Sequence, residues 1–82
     1  MEYYVVELGG REMGQRFLVQ GGDPTDFERD YKSLKRAHKF ENVNQAHAAV
    51  RKSGLNARVI KTQDNQTGTH YGDYLWEPVY DD

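Results

Sequence analysis

With 82 residues, a net charge of −2 and no cysteine, the chain is bounded as one small domain, 1–82, that neither a disulfide framework nor a zinc–thiolate site helps to hold together. Its 37% hydrophobic content leans on rings, with six Tyr, three Phe and one Trp, so an aromatic core is expected and a large buried active site is not. Charge is uneven: residues 1–31 carry three basic and seven acidic side chains, 32–61 eight and one, and 62–82 none and five, which leaves a basic island between two acidic ends.

The opening MEYYVVELGG has no basic leader and no apolar run of signal-peptide length, and no later stretch is long enough to span a membrane. A cytoplasmic location without a membrane partner is the expectation. EYYVVEL is rich in β-branched and aromatic residues and apolar on both alternating faces, which predicts a central strand. Gly9 and Gly10 supply a turn, and EMGQRFLVQ predicts the second strand of a hairpin, with Met13, Gln15, Phe17 and Val19 aligned. GGDP, from Gly21 to Pro24, ends it.

Residues 24–39 read two ways. Asp23 before Pro24 suits a helix N-cap and first position, and Phe27, Tyr31, Leu34 and His38 recur at helical intervals. SLKRAHKF, however, leaves little room for two helices. The expectation is a short helical turn from Pro24 to about Tyr31, then an extended segment ending at Phe40.

The next element is the best specified. Asn42 is a favourable N-cap, and Gln45 stands where a capping box would send its side chain back to the Asn42 N–H. Val43, Ala46, His47 and Val50 form an apolar stripe, Asn44, Arg51 and Lys52 point away, Gly54 stops the helix, and Leu55 is expected to fold back on it. ARVIKT follows as a strand, QDNQTG as a loop, and THYGDYLWEPVY as a last strand that Pro78 either marks as an edge or ends. The tail EPVYDD is expected to fray. The sum is an α+β domain: a mainly antiparallel sheet of about four strands, one amphipathic helix packed on one face, and room for a second short helix.

Chemistry is sparse. His38, His47 and His70 lie in separate elements without metal-ligand spacing; Ser33 and Ser53 lack a nucleophile elbow; Asp64, Asp73 and Glu77 sit on polar segments; and LGGREMG lacks the lysine and hydroxyl of a phosphate loop. No catalytic, cofactor-binding or metal-ligating residue is assigned, and a non-enzymatic role is expected.

Binding is better represented. For a protein partner the candidate residues are Tyr71, Asp73, Tyr74, Trp76, Glu77, Tyr80 and Asp81, because Tyr and Trp dominate interface hot spots, and Tyr80 is the ring most expected to be exposed. For nucleic acid they are Lys32, Lys35, Arg36, Lys39, Arg51 and Lys52 within the basic segment 32–61, although the first reading of that island is that it neutralises the acidic ends after folding. Sequestering a small ligand is a third class, which needs an apolar or cationic pocket.

Two strands followed by RAHKFENVNQAHAAVRKSGLNARVIK, with Ala37 and Phe40 in an A-x-x-F pattern, a cap at Asn42 and an inward Ala46, resemble the small accessory proteins of bacteriophages and mobile elements over roughly residues 1–62. The resemblance implies a phage-type protein acting in the host cytoplasm that binds and inhibits a host protein, including CRISPR and other defence effectors. It carries over no functional residue.

Overall fold

The computed structural model describes residues 2–8, 16–19, 21, 23–29, 37–63 and 77–80. Five strands, β1 (Glu2–Leu8), β2 (Arg16–Leu18), β3 (Phe27–Arg29), β4 (Ala57–Gln63) and β5 (Glu77–Val79), form one antiparallel sheet in the order β3-β2-β1-β4-β5, with helix α1 (Val43–Ser53) before β4. The architecture is α+β, with β1 at the centre as its two apolar faces predict.

Two cores follow from the alternation of β1. Tyr3 and Val5 point to one side, where Phe17, Ile60 and Ala37 complete a buried cluster. Val6 points to the other, where Leu18, Phe40 and Val59 pack beneath Ala46 of α1, and Val43, Ala49 and Val50 adjoin them. The capped helix therefore lays its valine and alanine side on the sheet, as its stripe predicts. Tyr3 is buried and Tyr4 half-buried, so both serve packing.

The A-x-x-F pair has a specific job. Phe40 N–H donates to Tyr4 O and Tyr4 N–H to Phe40 O, each at 2.8 Å, while His38 N–H donates to Leu18 O at 2.8 Å. Residues 37–40 thus bond to both β1 and β2, as a wedge where the two strands part beyond the Glu7–Phe17 pair. Positions three apart in an extended segment face opposite sides, so Ala37 enters one core and Phe40 the other.

Four expectations are corrected. Among the described residues the sheet has five strands and α1 is the one helix. The stretch after Pro24 is a turn into β3: Asp26 N–H donates to Asp23 O at 2.9 Å, and Asp23 Oδ1 accepts from Thr25 N–H at 2.9 Å and from the Thr25 hydroxyl at 2.7 Å. Asp followed by Pro suits the first two positions of a β-turn as well as a helix start, and Phe27 settles the choice by pairing with Leu18 and packing against the helix-side core. Glu77–Val79 does not fray, because Val79 pairs with Val59 and packs on the same core.

The fourth concerns both ends of α1. Asn42 Oδ1 accepts from Asn44 N–H at 2.7 Å and Gln45 N–H at 3.4 Å, but the Gln45 side chain makes no return bond, so the capping box is only half formed. At the other end Gly54 adopts φ 65° and donates to Arg51 O. Leu55 N–H then bonds to Ser53 Oγ at 3.1 Å, and the Leu55 side chain stays exposed instead of folding back.

Candidate functional site

The described part of the basic segment is divided by the sheet. Lys39 lies over the Tyr3 ring, 5.2 Å from its centre, on the face away from α1, whereas Arg51 and Lys52 are exposed in the last turn of the helix. Alternation separates them: Lys39 shares the parity of Ala37, and its neighbour Phe40 points under the helix. Lys32, Lys35 and Arg36 lie outside the described residues.

The remaining cations of the island meet acids from the flanking blocks. Arg58 Nε donates to Glu7 Oε1 at 2.8 Å, directly across β1 and β4, and the Glu7 side chain is wholly buried while that of Arg58 is 42% exposed. Lys61 Nζ lies 3.3 Å from Glu2 Oε1 and opposite Glu77 on β5. Its hydrogen bond to Glu2, with the charge of Glu2 next and a smaller push from Glu77, holds the ammonium above the ordinary lysine range. Among the described residues, Arg58 and Lys61 are thus two cations of 32–61 that folding pairs with acids from outside the segment.

Of the expected protein-binding residues, Glu77 and Tyr80 are described, and Tyr71, Asp73, Tyr74, Trp76 and Asp81 lie outside the described residues. Tyr80 is 76% exposed, just past the end of β5, the outermost strand on its side. Glu77 and Pro78 on that strand are also exposed. An exposed ring, a carboxylate and a proline therefore sit together at one sheet edge.

A second surface was missed by sequence reasoning. Between α1 and the β2–β3 turn runs a cleft of about 400 Å³. Leu18 and Phe40 give it an apolar base, Ala48 and Ala49 a low helical wall, and Asp23 and Pro24 the turn-side rim. His38 stacks on Phe40, with ring centres 4.1 Å apart and planes 15° from parallel. The only sequence signal for the cleft was the spacing of Gln45, Ala48, Ala49 and Lys52, a second stripe beside the core-facing one.

Among the described residues no three His, Asp or Glu side chains converge as metal ligands, and no helix is long and apolar enough to cross a membrane. His47 is buried on the core side of α1, as its place in the stripe predicts. The described residues form a small α+β domain in which a helix packs on an antiparallel sheet. Comparison with protein-family models, curated proteins and solved structures found no match to the chain.

Proposed function

We propose that this chain is a non-enzymatic binding protein of the phage type, which occupies the surface of a host protein and inhibits it, a CRISPR or other anti-phage defence effector being the partner class. The observation that carries the reading is the β5 edge, where Tyr80 is almost fully presented beside Glu77 and Pro78. A tyrosine combines large rigid contact area with a polar tip, and an outer strand adds backbone groups for strand pairing, so such an edge suits a protein partner. The inhibitory, phage-type half of the proposal rests on the A-x-x-F resemblance.

The test is co-elution of the purified chain with candidate defence effectors on a sizing column at micromolar concentration, followed by their activity assays. Binding and inhibition that weaken in the double variant Tyr80→Ala/Glu77→Lys support the reading. Failure of every candidate to co-elute, or binding indifferent to the double variant, counts against it. Nucleic-acid binding through 32–61 is the weaker reading, since Lys39 lies across the sheet from Arg51 and Lys52. A salt titration with single- and double-stranded oligonucleotides discriminates it.

A further inference from the structure

We propose that the cleft between α1 and the β2–β3 turn is a binding site for a small monocarboxylate with an apolar body. It lies on the helix side of β2, away from the β5 edge, so the proposal stands independently of the docking surface above. Three observations point to this ligand class. The volume, about 400 Å³, falls within the range of small-molecule sites. Leu18, Phe40, Ala48 and Ala49 offer apolar surface, with short alanines on the wall where longer side chains would close the space.

The third is polarity. His38, Gln45 and Lys52 all border the cleft, and among the described residues none of their side chains has a hydrogen-bond or ion-pair partner. Gln45 is available because it does not return a bond to Asn42, and Lys52 because its helix carries no acid in reach. An ammonium is donor only, and amide and imidazole N–H groups add donors, a set that a carboxylate complements. Asp23 supplies the opposite limit. Its Oδ1 is committed to Thr25, and those bonds hold the carboxyl ionised, so the turn-side rim repels a second anionic group. The site therefore selects one carboxylate rather than two.

The experiment is an NMR titration of the ¹⁵N-labelled full chain with benzoate, alongside benzamide as the neutral isostere and phthalate as the dianion. Saturable shifts at the amides of His38, Ala48 and Ala49 are expected, with a Kd on the order of 1 mM for so small a probe. Lys52→Gln, an exposed change that leaves the rest of the spectrum in place, weakens benzoate roughly tenfold, and benzamide and phthalate bind the parent chain correspondingly less well. Absence of saturation by about 20 mM benzoate overturns the proposal. So does benzamide matching benzoate, phthalate matching benzoate, or Lys52→Gln leaving the affinity unchanged.

Discussion

Glu7 is the costliest side chain in the sheet to place, a carboxylate withdrawn entirely from water in the central strand. Its partner Arg58 reaches it from the adjacent strand while keeping part of the guanidinium wet. Truncating the arginine removes one charged partner of a buried carboxylate, so Arg58→Ala is expected to lose about 2 kcal/mol in urea unfolding, below the usual figure for a fully buried pair because the Arg58 side chain is 42% exposed. Thr62 on β4 presents the converse case: its hydroxyl is buried and has no hydrogen-bond partner. Thr62→Val keeps the shape and removes the orphaned group, and a gain of roughly 1 kcal/mol is expected in the same measurement. Neither feature was legible in the sequence. EYYVVEL showed that one face holds Tyr3, Val5 and Glu7, but nothing local says that Arg58, half a chain away, stands opposite the acid.

At the scale of elements, caps and turns decide the outcome. Asn42→Ala removes the acceptor for two N-terminal amides of α1 and is expected to cost about 0.5–2 kcal/mol, read from thermal or urea unfolding. Gly54→Ala forces a Cβ into a left-handed conformation and is expected to cost about 1 kcal/mol, the strain lying in the backbone alone, since nothing stands within 4 Å of the added atom. The Asp23 turn is sensitive to acid. The Thr25 N–H, then the Thr25 hydroxyl, hold this carboxyl below the ordinary carboxylate range. A depressed carboxylate contributes its stability above the unfolded-state pKa of about 3.9 and loses it as pH falls through the lower folded value. Amide exchange at Asp26 and Phe27 should therefore quicken, relative to the intrinsic rate, as pH drops below about 4, and Asp23→Asn should flatten that response. The helix was legible down to its caps because the signals at Asn42, Arg51, Lys52 and Gly54 are local and agree with one another. The turn was not, because Asp-Pro has one local chemistry and two uses, and only pairing with β2 selects between them.

For the molecule as a whole, the sheet sorts what the sequence ran together. Lys39, Arg51 and Lys52 are neighbours in composition but sit on different sides, and the neutralising pairs Arg58–Glu7 and Lys61–Glu2 each join distant parts of the chain. A charge tally along the chain records the island but not the partition. The exposure of Tyr80 was legible from its place after Pro78, and the cleft was not, since it forms only where α1 and the β2–β3 turn meet. Phe40 is the residue on which these levels converge, for it bonds to β1, packs under α1 and forms the cleft base. Phe40→Ala is expected to cost about 3–5 kcal/mol, enough to leave a domain of this size largely unfolded by circular dichroism at 37 °C.

The wedge at residues 37–40 also bears on the order in which the chain reaches its native state. The pairing of β1 with β2 is local in sequence and can form early, but it stops where the two strands separate, and the seam stays open until a segment from the middle of the chain arrives to fill it. That arrival is a long-range loop closure, slow compared with hairpin formation, and it brings the attached helix with it. Until then the open seam offers unpaired backbone to any extended segment, including residues 37–40 of a second copy, so exchange of that segment between chains is the characteristic hazard of refolding at high concentration.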